Sequence, residues 1–193
     1  MRRKLPPILG ISAVVLWIVL FGYVRWRTTR YDYLIAVEAA KYKLDFHLVK
    51  SVVYEETWFN SGAHGKAGEI GLMQITPVAA QDFSRAGNKE VRPQQLYDPE
   101  MNLEVGCWYL RNSIDHYSNF EDPLPYALAR YNAGEARVEK WLEPSPRDHS
   151  EPAQNFLDRI DYPSTRQYIK NVLRRYTLQN YYIPVTYKSQ FFR

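Results

Sequence analysis

Glu56 is a carboxyl in an apolar setting. Residues 45–57, DFHLVKSVVYEET, read as a short helix in which Val49, Val52 and Val53 stand at the i, i+3, i+4 spacing of a buried stripe. The i+7 position of that stripe is Glu56, whereas Glu55 is rotated about 100° toward the flank. A carboxyl aimed at a core or cleft tends to hold its proton near neutral pH, because a low dielectric disfavours the charged form. A proton-holding Glu is what a general acid requires. Periodicity alone leaves two readings open: a general acid, or a helix-end Glu paired with a basic neighbour. The segment that follows, residues 58–72, is rich in Gly, Asn and Ser and is expected to form an irregular loop. Within it Gly68 and Gly71 allow a tight turn and close backbone approach to a ligand, or mark an ordinary loop turn.

The elements that must position these groups are helical. Residues 31–43 predict a first helix, with Leu34, Val37 and Ala40 on one side, and Asp45 is a plausible N-cap for the helix that carries Glu56. Thr76 and Pro77 form an N-cap and N1 pair for a helix to about residue 86. A further helix is expected over 99–116, with Met101, Val105, Trp108 and Tyr109 as its apolar stripe. Residues 124–131 are helical, Asn132-Ala133-Gly134 interrupts, and the helix resumes over 135–142. Residues 143–154 read as a Pro-rich surface loop, 165–181 as a last long helix, and the tail after Pro184 has no assignment. Strand patterns are nearly absent and no repeat is visible. The expectation is one small all-α domain.

The first thirty residues differ from the rest. Arg2, Arg3 and Lys4 precede a run without charge from Leu5 through Val24, closed by Arg25, Arg27 and Arg30. The apolar core of 17 residues, Ile8 to Val24, is at the short end for a membrane-spanning helix, with Trp17, Tyr23 and Trp26 available as interfacial anchors. A cleaved signal peptide is the rival, but LFGYVRW contains no A-x-A-like site, which favours an uncleaved signal anchor. Three basic residues flank each side, so charge gives no orientation. The formal +4 also misleads: six of the 25 Lys/Arg lie in this segment with no Asp/Glu. That leaves 19 basic against 21 acidic residues, net −2, in residues 31–193. The domain lacks the basic excess of a nucleic-acid binder. The single Cys107 excludes an intrachain disulfide and is expected to pack within a helix. Neither it nor the four histidines make a metal-ligand spacing, and no cofactor is indicated.

Four segments then occur in order: EETWFN at 55–60, GEIGLMQITP at 68–77, YNAGEARVEKWL at 131–142 and STRQYIKNVL at 164–173. Together they resemble the catalytic domain of soluble-type lytic transglycosylases, glycoside hydrolase family 23, related to goose-type lysozymes; the likeness covers roughly residues 32–182. The family pattern E-S-x-F-N is similar to Glu56-Thr57-Trp58-Phe59-Asn60, with Thr for Ser, and so selects Glu56 over Glu55 independently of periodicity. The resemblance implies an all-α lysozyme-like fold, with Gly71, Met73 and Gln74 at a glycan cleft and Tyr131 close to Glu56, able to hydrogen-bond its carboxyl. Gln74 both donates and accepts, which suits sugar hydroxyls and acetamido groups. Met73 is either cleft wall or core filler, and Asn132 either binds sugar or ends a helix. Two positions depart from the family pattern: Ser164 stands where many members have an auxiliary Glu, and Glu69 where a small residue is usual.

The resemblance further implies cleavage of the β-1,4 bond between N-acetylmuramic acid and N-acetylglucosamine, with Glu56 as acid and then base. The products would carry 1,6-anhydromuramoyl ends. A hydrolytic muramidase or a non-catalytic peptidoglycan-binding scaffold are the alternatives. Peptidoglycan glycan strands as substrate imply a domain facing the periplasm, tethered to the cytoplasmic membrane by residues 1–30, with the span at about 8–24.

Overall fold

The computed structural model describes the backbone of residues 7–87, 89–143 and 151–182, and side chains within those ranges from residue 12 to residue 179. Nine α-helices appear among the described residues: α1 (Pro7–Thr29), α2 (Asp32–Lys41), α3 (Phe46–Thr57), α4 (Pro77–Arg85), α5 (Pro99–His116), α6 (Leu124–Ala133), α7 (Glu135–Leu142), α8 (Ala153–Arg159) and α9 (Pro163–Tyr182). A 3₁₀ turn, Pro93–Tyr97, precedes α5. The only strand-like pairings among the described residues are two isolated bridges, His64 with Ile70 and Ile70 with Ile75.

The helix boundaries follow the local chemistry. Asp45 caps α3 by accepting from the His47 N–H at 2.7 Å, and Thr76 caps α4 ahead of Pro77 by accepting from Ala79 at 3.1 Å. Gly134, at φ 85°, separates α6 from α7 where a residue with a side chain would be strained. α8 lies in a stretch with no helical assignment from periodicity. It is too short to show a repeat, but Phe156 and Leu157 are buried and fix it to the core. The end of the 143–154 loop is thus the start of α8, and residues 144–150 and the tail beyond 182 lie outside the described residues.

Two buried faces differ from the periodic expectation. On α2 the buried residues are Ile35, Glu38 and Ala39, while Val37 is exposed. A hidden charge displaced the stripe: Glu38 lies in a cluster where Lys41 bridges it at 3.7 Å and reaches Glu104 at 2.5 Å, with Lys89 also paired to Glu104. On α5 the buried set is Asn102–Cys107 with Leu110, Ser113 and Ile114, whereas Met101, Trp108 and Tyr109 are only partly covered. This helix is enclosed on most sides by α2, α4, α6 and the 3₁₀ turn, so no single stripe describes it. Cys107 is buried within it.

α3 packs against α9, and α9 against α6, leaving the loop 58–76 against the C-terminal end of α3. α1 is separated from α2 by Arg30 and Tyr31 alone. Its large apolar side chains from Val14 to Val24 are exposed, Leu16 at 68% and Trp17 at 64%. Among the described residues no helix is long and apolar enough to cross a membrane.

Candidate active site

Glu56 lies in the last turn of α3, on the stripe begun by Val49, Val52 and Val53, all fully buried. The residue keeps some exposure, but its carboxyl lies deep. Burial pushes its pKa up to about 7; the hydroxyl of Tyr168 opposes the rise, and the negative charges of Glu55 and Glu69 add to it. Tyr168, on α9, is a fully enclosed phenol whose own proton is held more tightly, first by burial and then by the Glu56 charge. Its hydroxyl meets no acceptor in full hydrogen-bond geometry, so the Tyr168–Glu56 contact is felt electrostatically but is not closed. With a pKa of about 7 the carboxyl keeps its proton in a large share of molecules up to neutral pH, where an ordinary Glu would be fully ionised.

Glu55 points elsewhere. Its Oε1 accepts from Asn171 Nδ2 of α9 at 2.6 Å. Adjacent in sequence, the two carboxyls are separated by the helical rotation into one tied to a neighbouring helix and one withdrawn from water.

Beside Glu56 the segment GLMQ forms a tight turn. Ile70 and Ile75 exchange backbone hydrogen bonds at 3.0 and 2.9 Å, enclosing Gly71-Leu72-Met73-Gln74. Gly71 has φ 77°, and a Cβ there would lie 2.3 Å from Asn102 Nδ2 and 2.4 Å from the Leu96 carbonyl. Its missing side chain thus admits the protein's own α5 and 3₁₀ turn. Three polar side chains from three helices hold the turn. Thr57 Oγ1 of α3 donates to the Leu72 carbonyl at 2.9 Å, and Tyr131 of α6 donates to the Met73 carbonyl at 2.8 Å. Asn102 of α5 accepts from the Met73 N–H and donates to the Ile70 and Leu96 carbonyls, all at 2.8 Å.

These contacts revise several sequence expectations. Met73 is fully buried with its sulfur and Cβ against Gly106, so its side chain is core filler and no cleft wall. Burial first and the nearby Glu56 charge second push the Tyr131 pKa up, but its hydroxyl is spent on Met73 rather than on the carboxyl. The phenol that faces Glu56 is Tyr168. Gln74, at φ 48°, donates to the Gly71 carbonyl at 2.9 Å and turns its Oε1 toward Gly65. Asn132 is exposed, and its Oδ1 accepts from Thr165 Oγ1 at 2.8 Å, joining the end of α6 to the start of α9. Glu69 folds its carboxylate over Gly65 and accepts from the Ala67 N–H at 3.0 Å. Sequence reasoning missed Asn102 and Tyr168. The available signals were an Asn within an apolar helix and the tyrosine of the STRQY segment.

After Thr57 the chain makes an uncommon turn: Trp58 and Phe59 both adopt left-handed conformations, φ 48° and 62°. Such a conformation costs roughly 1–2 kcal/mol for a residue with a side chain. Among the described residues no group of three or more His, Cys, Asp or Glu side chains is arranged to hold a metal ion.

A helical domain in which one buried carboxyl ends a helix beside a glycine-led turn is of the lysozyme-like class, and known proteins agree. The 70 kDa soluble lytic transglycosylase of Escherichia coli superimposes with a TM-score of 0.70 at 29% identity, over 78% of this chain and 24% of that one. Residues 33–153 match the transglycosylase SLT domain, and the chain belongs to that family. Curated relatives include membrane-bound lytic murein transglycosylase E of Buchnera aphidicola, 44% identical over 148 residues, which cover 74% of this chain and 65% of the relative. The soluble lytic murein transglycosylase of E. coli K12 is 35% identical over 127 residues, 64% of this chain and 19% of the relative. The chain therefore spans less than two thirds of the length of these relatives.

Proposed function

We propose that this protein is a membrane-anchored lytic transglycosylase of peptidoglycan. The observation that carries the reading is the Glu56 carboxyl, withdrawn from water and holding its proton to about pH 7. A protonated Glu56 gives its proton to the glycosidic oxygen between N-acetylmuramic acid and N-acetylglucosamine as the C1–O bond breaks. The substrate's acetamido oxygen stabilises the oxocarbenium-like centre. The Glu56 carboxylate then takes the proton of the muramoyl C6 hydroxyl, whose oxygen closes on C1 and leaves a 1,6-anhydro end. Glycosidases with two carboxylates need the second one to supply a nucleophile or activate water; an internal hydroxyl replaces both roles here. The names of the relatives, lytic murein transglycosylases, support the substrate class.

Gln74 and Asn132 are the proposed sugar contacts, since each keeps solvent-accessible surface; Gly71, Met73 and Tyr131 serve the glycan indirectly, by holding the turn that carries Gln74. The same reading divides the chain into an anchor over residues 1–30, a catalytic domain over 31–183 and a tail over 184–193. The anchor is supported by the charge-free run and by the exposed apolar side chains of α1 from Val14 to Val24, a stretch that water does not favour. The domain would face the periplasm, where its substrate lies, and protease treatment of spheroplasts should degrade it. Mass spectrometry of a peptidoglycan digest tests the activity. The expected fragments are lighter by one water than those with reducing ends, and reducing ends alone would overturn the transglycosylase assignment.

One observation favours the second reading, a hydrolytic muramidase. Glu69 supplies a carboxylate whose charge reaches Glu56, at a position where the family usually has a small residue. Its Oε2, however, is engaged by the Ala67 N–H, which leaves it better suited to tune Glu56 than to activate water. Replacing Glu69 by Gln removes a negative charge, so the Glu56 pKa should fall and the alkaline limb of the pH–rate profile should move to lower pH. An unmoved limb would show that Glu69 exerts no influence on the acid.

A further inference from the structure

The end of α1 is fastened to the turn that follows Glu56. Arg27 Nε donates to the Trp58 carbonyl at 2.8 Å, and its guanidinium lies over the Trp58 ring, 4.2 Å from the centroid. Arg30 donates to the Phe59 carbonyl at 2.5 Å, and the Tyr31 hydroxyl donates to Ser61 Oγ at 3.1 Å. Arg27 also donates to the Tyr23 hydroxyl at 2.9 Å, and the Tyr23 ring meets the Trp58 ring edge-on at 6.4 Å. The two carbonyls so engaged belong to the two consecutive left-handed residues, and Trp58 is the C-cap of the helix that ends in Glu56-Thr57. A guanidinium placed at a helix C-terminus meets carbonyls without helical partners and the negative end of the helix dipole. Its planar fork and its stacking on the Trp58 ring are properties that an ammonium lacks. These contacts come from residues 23–31, outside the segment that matches the family.

We propose that Arg27 and Arg30 are positioning residues for Glu56. They hold the turn at 58–59 in its left-handed conformation and so fix the last turn of α3 against Tyr168. The anchor helix and the catalytic cleft thus behave as one rigid unit, with the acid at a set height above the membrane surface. This also gives a purpose to two of the three basic residues on the outer side of the proposed span, where orientation rules do not call for them. The inference rests on the reading of Glu56 as the acid.

The test uses the full chain in detergent and soluble glycan strands. The Arg27→Met/Arg30→Met double variant is compared with wild type and with Arg25→Met, a change on the same helix outside these contacts. A small displacement of a catalytic group is costly, up to about 10²-fold. The double variant is expected to lose at least about tenfold in kcat, with KM changed less than about twofold. Its alkaline pH limb should move down as Glu56 gains water, and amides 57–61 should exchange hydrogen faster, while Arg25→Met does none of these. If the double variant fails to fold by circular dichroism, Arg27→Lys is read in the same way, since it keeps charge but loses the fork. A folded variant with wild-type kcat, pH limb and exchange would overturn the proposal, as would equal effects from Arg25→Met. If wild type itself releases no anhydro products, the functional reading fails, while the exchange of amides 57–61 still decides the clamp.

Discussion

Glu56→Gln is expected to cost at least about 10²-fold in glycan cleavage, the lower end of what general acid–base catalysis contributes, and at the same time to stabilise the fold at alkaline pH. Both effects come from one cause. The folded-state pKa of Glu56 is raised from 4.5 to about 7, chiefly by burial, so the native protein binds a proton that the unfolded chain has released. The stability this proton contributes is fully present below the unfolded pKa and is lost as pH rises through about 7. A shift of this size corresponds to about 3 kcal/mol. Gln is a neutral isostere of the protonated acid and avoids the loss. Thermal unfolding of the two proteins should therefore run in parallel below about pH 4.5, separate progressively as pH rises from there to about 7, and stay apart at higher pH, with Glu56→Gln the more stable. Equal melting at pH 8 would mean that the carboxyl is better solvated than its position implies. Glu55→Gln, by contrast, should leave cleavage nearly intact, because that carboxylate is tied to Asn171.

The second large effect is expected at Asn102. Truncation to Ala removes the acceptor of the Met73 N–H and the donor to the Ile70 and Leu96 carbonyls in a site with no water access. The Ile70 carbonyl keeps the Ile75 N–H, but the Met73 N–H and the Leu96 carbonyl lose their partner; at about 1–3 kcal/mol for each the loss should be at least about 2 kcal/mol, a large share of the stability of a domain this size. Asn102→Asp should be no better, since it sets a carboxylate against two carbonyls. Urea denaturation reads both, and a shift equivalent to less than about 1 kcal/mol would show that the GLMQ turn has other support. Activity should fall with stability, because this turn carries Gln74.

The parts of the fold that were legible in the sequence are those decided within a few residues. The Val49, Val52 and Val53 stripe puts Glu56 on the buried side of α3, where its carboxyl lies, and Asp45, Thr76-Pro77 and Gly134 mark helix ends through local chemistry. What escaped depends on polar groups that meet across long stretches of chain. Asn102 joins residues about thirty positions away, and Asn171 meets Glu55 across 116. Hydrophobic period shows which face is covered but not which hydroxyl or amide covers it. The resemblance to the family implies Tyr131 near Glu56, and it does lie close, but its hydroxyl goes to the Met73 carbonyl and the phenol facing the carboxyl is Tyr168. Buried polar side chains misled periodicity in the same way on α2 and α5, where Glu38, Asn102 and Glu104 lie inside. α8 carries no periodic signal in the sequence because its seven residues are fewer than two helical repeats.

In the proposed mechanism one buried carboxyl serves as acid and then base, without water entering the product. Digestion of peptidoglycan in water enriched in heavy oxygen tests it most directly. The wild-type chain should release anhydro-ended fragments carrying no label at C1, and Glu56→Gln should release almost none. Labelled reducing ends from wild type, or undiminished cleavage by a folded Glu56→Gln protein, would contradict the account.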